Sequence, residues 1–506
     1  MTRFDAIATH AAFHPRGEAI VDLESGRRWN YHQLHVAIDR LACWLVNELG
    51  AASGARVATL SRNCAEMLIL HIACVRAGSI FMPLNWRLAP AEIEALAADA
   101  QPQLLFHEAE FPSPPHVRAL PMTSLLSLGA ADTHPPPHAR RPFDAIATLL
   151  YTSGTSGRPK GVMLSEQNSF WGCTNFISGN EVSTRSVFLC DMPLFHTAGL
   201  FAAARAPLHA GARVLISRGF EPAKTIERLG DPALGVTHYF SVPQMAATIW
   251  AHPGFSPASL KGLVGWTIGG APNPKALTQR FVAAGIRFTE GYGMSETGSN
   301  LGMPTHDLQV LIDKAGSCGL PFVAVQTRIV DAAGHDVPTG EVGELWLKGP
   351  SITTGYWKQP EASAKAFQDG WFMTGDAARM DADGFFYIVD RRKDMYISGG
   401  ENVYPAEIEA ALADHEQVRE CAVVGVPDAR WGEVGRVYVV PAAGSRITGE
   451  DILAHCRARL ARFKVPASAV ITDALPRTAS GKVQKHLLRE RALAELRSSP
   501  KDGAER

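Results

Sequence analysis

A segment rich in glycine, hydroxyl groups and lysine occupies residues 151–161 and reads YTSGTSGRPKG. It follows an apolar run at 146–150 that predicts a strand, and it precedes a helix that Ser165 is expected to open. Glycines let the backbone turn tightly and point several N–H groups at one anion, and the hydroxyls and the lysine add donors. The segment therefore predicts a phosphate-binding loop, although it is not a Walker A loop, because Gly161 follows Lys160 where that motif has Ser or Thr. The candidate phosphate ligands are Thr152, Ser153, Gly154, Thr155, Ser156, Gly157 and Lys160.

Four further motifs carry groups that suit other parts of a nucleotide reaction. Gly269 and Gly270 follow a predicted strand, and glycines there allow an aromatic base to approach the backbone closely. Glu296 stands beside hydroxyl residues and a glycine-rich stretch, which suits a hard cation that bridges phosphates. Asp376 has a carboxylate that can accept two hydrogen bonds from ribose hydroxyls. Lys482 lies on a glycine-containing loop, from which a lysine can enter a closed site.

Alternating helical and strand patterns surround these motifs and predict an α/β fold with a largely parallel sheet. Apolar residues recur at helical spacing over 31–49 and 65–77, and short buried strands are expected at 56–60 and 80–84. After residue 390 the pattern becomes a small α+β one. Further strands are predicted at 146–151, 187–190, 213–216, 264–268, 327–330, 344–349, 384–389, 420–426 and 434–441, and further helices at 405–413 and 450–461.

The pattern predicts two domains of unequal size. Residues 1–390 are expected to form a large N-terminal domain of layered α/β subdomains with mixed and parallel sheets. Residues 391–506 are expected to form a small C-terminal α+β domain that carries Lys482. Eight prolines between residues 111 and 142 predict a surface connection between subdomains.

The composition excludes several classes of protein. The 506 residues hold 49 Lys and Arg against 50 Asp and Glu, a net charge of −1, so no global basic field favours nucleic acid as a partner. Eight Cys without a C-x-x-C pair support neither a disulfide framework nor a cysteine zinc site, and we expect a cytoplasmic location. No run of apolar residues predicts a transmembrane segment, and the N-terminus lacks the pattern of a signal peptide.

The phosphate-binding segment resembles the AMP-binding signature of the adenylate-forming superfamily, and the other motifs follow in the order of that family. The resemblance runs from about Phe4 to Arg489. It favours the branch of AMP-dependent acyl-CoA synthetases, because PLFHTAG at 193–199 resembles CoA ligases and lacks the Asp that amino-acid-activating domains carry there. It implies ATP, Mg2+ and coenzyme A as cofactors or co-substrates, a small carboxylic acid as the substrate, and a mobile C-terminal domain.

The resemblance also implies a role for individual residues that bind the nucleotide. It places Tyr292 in a stack on adenine, Ser295 on phosphate, Glu296 on Mg2+ and Asp376 on ribose. The other residues that it places around ATP or AMP are Gly270, Ala271, Pro272, Gly291, Gly293, Met294, Arg391 and Asn402.

Two chemical steps are implied. A carboxylate attacks the α-phosphate of ATP and expels pyrophosphate, and Lys482 bridges the two reacting groups. The thiol of CoA then attacks the acyl-adenylate, and AMP leaves. The small domain rotates about a hinge at Lys393 between the steps, and Gly399 and Gly400 line the route of the thiol. His196 flanks the acyl pocket and gates ATP against the acid.

The acyl pocket is expected to be apolar and aromatic, which suits a hydrophobic carboxylic acid of the fatty, aryl or alicyclic kind. Its expected residues are Phe195, Ala198, Tyr239, Val242 and Trp266, together with Gly291.

Other interpretations stay open beside the CoA ligase. One is an acyl-AMP ligase that loads a separate carrier protein. Another is a non-catalytic nucleotide-binding or interaction protein, against which the complete set of Lys160, Glu296, Asp376, Arg391 and Lys482 argues. A luciferase is a remote alternative that nothing in the sequence favours. Association into a homodimer is also left open.

Overall fold

A computed structural model describes residues 5–130, 141–152, 159–260, 262–271, 273–304, 306–391, 394–398, 401–428, 430–460, 462–478 and 481–498. It confirms the predicted α/β fold. Its strands are β1 (Glu18–Asp22), β2 (Arg28–Asn30), β3 (Arg56–Leu60), β4 (Ile80–Pro83), β5 (Leu104–His107), β6 (Ala119–Pro121), β7 (Ile146–Thr152), β8 (Lys160–Ser165), β9 (Val187–Cys190), β10 (Arg213–Ile216), β11 (His238–Ser241), β12 (Gly265–Ile268), β13 (Phe288–Met294), β14 (Gly298–Gly302), β15 (Leu320–Pro321), β16 (Gln326–Val330), β17 (Gly343–Lys348), β18 (Phe367–Gln368), β19 (Trp371–Met380), β20 (Phe386–Arg391), β21 (Tyr396–Ser398), β22 (Glu401–Val403), β23 (Val418–Asp428), β24 (Gly432–Pro441) and β25 (Ser468–Ile471).

The helices begin and end at residues that the sequence marks. Asn30 caps α2 by accepting the Gln33 N–H at 2.8 Å, and Ser165 caps α6 by accepting the Asn168 N–H at 3.1 Å. The α-helices are α1 (Ala6–Phe13), α2 (Tyr31–Leu49), α3 (Ala65–Ala77), α4 (Pro90–Ala100), α5 (Leu125–Ala130), α6 (Glu166–Gly179), α7 (Ala206–His209), α8 (Pro222–Gly230), α9 (Pro243–Ala251), α10 (Lys275–Ala283), α11 (Leu308–Asp313), α12 (Pro360–Ala364), α13 (Pro405–Ala413), α14 (Gly449–Arg459) and α15 (Lys485–Ser498). A π-helix spans Ala198–Arg205, and short 3-10 helices span Met122–Ser124, Pro257–Leu260 and Arg462–Lys464.

Two large sheets lie in the first part of the chain. One has nine strands in the order β15-β14-β13-β12-β11-β9-β10-β1-β2, and its central strands, from β13 to β1, run parallel. The other has six strands in the order β6-β5-β3-β4-β7-β8, of which β7 and β8 are antiparallel. Apolar residues of α2, α3 and both sheets form one continuous buried core, which includes Leu34, Met67 and Val214.

Two smaller sheets follow. The five-stranded sheet that contains β19 has the order β16-β17-β19-β18, with β20 paired to β19. The last sheet has the order β22-β21-β24-β23, with β25 paired to β24. Its core is formed by β23, β24, α13 and α14, through residues such as Val423, Val437, Ile408 and Ile452.

The chain divides into two compact units. The first comprises Met1–Asn273, Leu277–Thr327 and Leu347–Met373, and the second comprises Pro274–Ala276, Arg328–Trp346 and Thr374–Arg506. A domain boundary after residue 390 stays a prediction. Within the described ranges, no helix is both long enough and apolar enough to cross a membrane.

The helix that Ser165 is expected to open is confirmed as α6, with Ser165 as its N-cap. A strand that the sequence did not predict, β8, lies before it, because Val162 and Leu164 alternate into the core against β7. The proline-rich stretch is also more than a surface connection. Its β6 pairs with β5, and Leu125 of α5 is fully buried against the core.

Candidate active site

The carboxyl ends of three parallel strands meet at one edge of the nine-stranded sheet. Ser241 of β11 lies beside Ile268 of β12, which lies beside Glu290 of β13. Loops that follow such strand ends are where open α/β sheets bind ligands. The Gly269 N–H donates to the Ser241 carbonyl at 3.3 Å, and a Cβ on Gly269 would stand 3.0 Å from the carbonyl oxygen of Gly291. This close approach favours glycine at 269.

The chain becomes exposed shortly beyond β12, as expected of a segment that a base approaches. Gly270 has φ of +82°, which favours glycine, and both Gly270 and Ala271 are exposed. The Val242 side chain lies 3.9 Å from the position that a Gly270 Cβ would take. Tyr292 and Met294 follow along β13, where the Tyr292 hydroxyl contacts the Met294 sulfur at 3.7 Å.

A lysine, a tyrosine and a glutamate form the central cluster of the site. Lys160 opens β8 as the register partner of Thr152, and its Nζ lies 4.6 Å from the centroid of the Tyr356 ring. The Tyr356 hydroxyl donates to Glu296 Oε1 at 3.2 Å. Tyr356 is held by a β-bridge to Val162. The structure thus brings the two predicted residues Lys160 and Glu296 into contact with one tyrosine.

The environment of Glu296 suits a cation. Only 8% of Glu296 is exposed, and burial together with the neighbouring carboxylate raises the pKa of Tyr356, so its hydroxyl stays a donor. Ser295 adds a hydroxyl in the same turn. Among the residues that the structure describes, no three or more His, Cys, Asp or Glu are grouped to hold a metal ion. A single carboxylate fits Mg2+, which proteins often bind through one or two carboxylates plus substrate phosphates and water.

The segment that precedes the π-helix reaches the same turn. Thr197 Oγ1 lies 3.1 Å from Ser295 Oγ. Because Phe195 and His196 directly precede Thr197, their segment lies beside the turn that carries Glu296. The rings of Phe195 and His196 are 4.6 Å apart, and Phe195 is buried. Ala198 is the first residue of the π-helix and packs on the core. The structure therefore joins the predicted acyl-side residues to the predicted phosphate side.

Tyr239 and Trp266 have the contacts of core residues. Both are fully buried, with ring centroids 5.1 Å apart, and the Trp266 indole donates to Ser241 Oγ at 2.9 Å. Phe281 and Phe288 pack on Trp266 with centroid distances of 4.9 and 5.6 Å. Their assignment to the acyl pocket stays a prediction.

The second unit holds other predicted residues. Asp376 of β19 is the register partner of Arg391 of β20, and only 7% of Asp376 is exposed. Asn402 pairs with Ile397 across the β21–β22 hairpin. Lys482 is exposed on a loop that Thr478 closes, because the Thr478 N–H donates to the Lys482 carbonyl at 2.8 Å.

Several predicted residues lie outside the described part of the chain, and their roles stay predictions. They are Ser153, Gly154, Thr155, Ser156, Gly157, Pro272, Lys393, Gly399 and Gly400.

Sequence reasoning missed Tyr356 and Asp191. Tyr356 lies 60 residues from Glu296 in the chain, and its only local signal is a tyrosine that follows Gly355. Asp191 lies within an apolar run at the end of β9, where a charged residue is unusual, and this exception is a signal that could have identified it. Asp191 is fully buried, and burial raises the pKa of its carboxyl.

The mostly parallel sheet, with glycine-rich turns after its strands, belongs to the α/β class that binds ligands such as nucleotides beyond the carboxyl ends of its strands. Comparison with known families identifies the family of this chain. The chain belongs to the AMP-binding enzyme family, whose model matches residues 7–357, and the model of the AMP-binding enzyme C-terminal domain matches residues 407–482.

Individual relatives span nearly the whole chain. A feruloyl-CoA synthase of Amycolatopsis sp is 41% identical over 471 residues, which cover 92% of this chain and 94% of the relative. The fatty acid–[acyl-carrier-protein] ligase ScoC of Streptomyces coeruleorubidus is 34% identical over 502 residues, 95% of each chain. The crystal structure of ATP-bound MatB from Rhodopseudomonas palustris superposes with a TM-score of 0.88 at 30% identity, covering 96% of this chain and 99% of MatB.

Tyr356→Phe tests the central cluster. The variant keeps the ring under Lys160 and removes the hydroxyl that donates to Glu296. Because a hydrogen bond to a charged group contributes roughly 1.5–3 kcal/mol, we expect the KM for MgATP in pyrophosphate release to rise at least about 10-fold. Tyr387→Phe is the matched control, since it removes a tyrosine–carboxylate bond to Asp381, also 3.2 Å long, and should leave the KM unchanged. An equal rise of the KM for MgATP in both variants would contradict the assignment of the Tyr356–Glu296 contact to the ATP site.

Glu290→Gln tests a second carboxyl at this edge. Burial raises the pKa of Glu290 from its usual 4.5 to about 8, although Asn273 donates to it at 3.1 Å. The folded chain therefore keeps a proton that the unfolded chain loses, and the free energy of unfolding should fall as the pH rises from about 4.5 through 8.

We expect Glu290→Gln to remove this fall, which gives a gain of on the order of 5 kcal/mol over the unsubstituted chain at pH 8.5 and none at pH 4.5. Urea unfolding at a series of pH values measures it. The exposed Glu341→Gln is the control and should leave the pH slope unchanged. Parallel pH profiles for Glu290→Gln and the unsubstituted chain would refute the raised pKa.

Proposed function

We propose that this chain is an AMP-forming acid–thiol ligase, which activates a hydrophobic carboxylic acid with ATP and transfers the acyl group to CoA. The observation that carries the proposal is the Lys160–Tyr356–Glu296 cluster at the carboxyl edge of the parallel sheet. It places one cation and one carboxylate of low exposure in contact with one neutral tyrosine. ATP in complex with Mg2+ presents the opposite charges to both.

The chain's own residues divide the work of adenylation. Lys160 attracts the phosphates and Ser295 contacts them, while Glu296 would hold Mg2+, which would neutralise phosphate charge when bound. Asp376 and Arg391 bind the ribose side of the nucleotide, in line with their register pairing. Lys482 brings a positive charge to the carboxylate and the α-phosphate, because two anions must approach each other in this step.

The substrate class that we propose is an aryl carboxylic acid ahead of fatty and alicyclic acids. The relative with 41% identity is named a feruloyl-CoA synthase. Phe195, His196 and Ala198 would flank the acyl group, since Thr197 ties their segment to the Ser295 turn beside the phosphates. A flat ring can stack against the buried Phe195.

The acceptor is proposed to be CoA, with Gly399 and Gly400 along its route and rotation of the C-terminal domain about Lys393 between the steps. The ScoC similarity favours a second candidate, in which the acceptor is the thiol of a separate carrier protein. We also propose a cytoplasmic location, which the eight free cysteines support.

The test measures adenylation and thioester formation separately, in Lys482→Ala and in the unsubstituted protein. A panel of hydroxycinnamic, medium-chain fatty and alicyclic acids with ATP, Mg2+ and CoA is followed for pyrophosphate and thioester. We expect thioester formation to be fastest with the hydroxycinnamic acid. Lys482→Ala should lose roughly 100-fold or more in pyrophosphate release, as for other removed charge stabilisers, and keep thioester formation from a supplied acyl-adenylate within about twofold.

Each negative result points to a different conclusion. If pyrophosphate is released but a thioester forms only when a carrier protein is added, the carrier-loading ligase is favoured. No pyrophosphate with any acid would favour the non-catalytic interpretation. Equal loss of both half-reactions in Lys482→Ala would contradict the proposal that Lys482 acts only in adenylation. The control is Lys358→Ala, at an exposed lysine that donates to the Asp99 carbonyl, and it should not change the rate of one half-reaction relative to the other.

A further inference from the structure

A fully buried carboxylate lies beneath the segment that carries Phe195 and His196. Asp191 follows β9 directly, and its side chain has no exposed surface. Three hydroxyls donate to it: Ser217 Oγ, Thr225 Oγ1 at 2.6 Å and the Tyr239 hydroxyl at 3.2 Å. Arg228 Nη1 lies 3.9 Å away. The carboxylate therefore joins the ends of β9 and β10 to α8 and β11.

The chain leaves this junction straight into the predicted acyl side of the site. Residues 192–197, which we call the acyl-side segment, are held at three points. Asp191 fixes their start, and Asn63 holds their middle by donating to the Met192 carbonyl at 2.9 Å and accepting the Leu194 N–H at 2.8 Å. Thr197 contacts Ser295 at their end. Only the first point also fixes a second predicted acyl-pocket residue, Tyr239.

A carboxylate at this position needs a reason, because an apolar residue would fill the space at lower cost. Removing a charge from water is expensive unless hydrogen bonds satisfy it. Asp191 receives three hydroxyl donors from three different elements, and no single apolar side chain could fix their relative positions through directed bonds. The arrangement therefore suits a role of Asp191 in fixing the relative positions of these elements more than a role in stabilising the fold.

We propose that Asp191 is a positioning residue for the acyl pocket: it fixes the Tyr239 ring and the start of the acyl-side segment, and so sets which carboxylic acids the chain accepts. The inference rests on the proposed function and on the placement of Phe195, His196 and Tyr239 around the acyl group. Asp191 acts only through these residues, since its own atoms are enclosed by the four elements that it joins.

The experiment compares Asp191→Asn, Tyr239→Phe and the double variant in steady-state kinetics with a hydroxycinnamic acid and octanoic acid. Each single variant should raise the KM for the hydroxycinnamic acid about 10-fold and leave the KM for MgATP and for CoA within about twofold. The ratio of kcat/KM between the two acids should shift at least about fivefold. The double variant should be no worse than Asp191→Asn, because both changes break one network.

Thr148→Val is the matched control. It removes another buried hydroxyl, which contacts His71 at 2.9 Å in the six-stranded sheet, and should leave every KM and the selectivity ratio unchanged. If Asp191→Asn does not fold, Tyr239→Phe carries the same test, because it leaves the carboxylate with two hydroxyl donors and Arg228.

The results separate this proposal from the proposed function. Equal rises in the KM for acid and for MgATP, or an unchanged selectivity ratio in both folded variants, would overturn the positioning role while the ligase activity stands. An unsubstituted protein that releases no pyrophosphate with any acid would overturn the proposed function, and the positioning role with it.

Discussion

The hydrogen bond from the Tyr356 hydroxyl to Glu296, with the Lys160 ammonium against the ring of the same tyrosine, is the contact on which the site depends. A carboxylate with little exposed surface repels phosphate, whereas a lysine attracts it. One neutral tyrosine contacts both groups, so the two opposite charges lie in the same part of the site. Glu296 suits a cation there, and Lys160 suits phosphate. The near-neutral overall charge of the chain is compatible with this, because the charge that the chemistry needs is local.

The topology explains how residues that are far apart in the chain reach this contact. β13 runs parallel to β12 and then turns back as β14, which places the Ser295–Glu296 turn beyond the carboxyl edge of the nine-stranded sheet. β8 belongs to the other large sheet and brings Lys160, while its bridge to Tyr356 brings the tyrosine. The cluster thus joins the two sheets of one unit, which share one buried core that includes Tyr356.

Elements whose signals are local could be predicted from the sequence. The helices at 31–49 and 65–77 and the strand at 56–60 have the predicted bounds, because apolar periodicity and the glycines Gly50 and Gly78 mark them. The strand β8 was not predicted, since its stability comes from pairing with β7 rather than from its own six residues. The predicted nearness of Lys160 and Glu296 rested on family resemblance. Tyr356 and Asp191 escaped prediction because their partners lie 60 and up to 48 residues away.

The most direct measurement is the affinity of the protein for ATP with and without Mg2+, by calorimetric titration of the unsubstituted chain and of Glu296→Gln. The account predicts that Mg2+ tightens ATP binding roughly 10-fold or more in the unsubstituted chain, and that Glu296→Gln loses this gain. Without Mg2+, the variant should bind ATP at least as tightly as the unsubstituted chain, because a negative charge near the phosphates is gone. The same Mg2+ effect in both proteins would contradict the account.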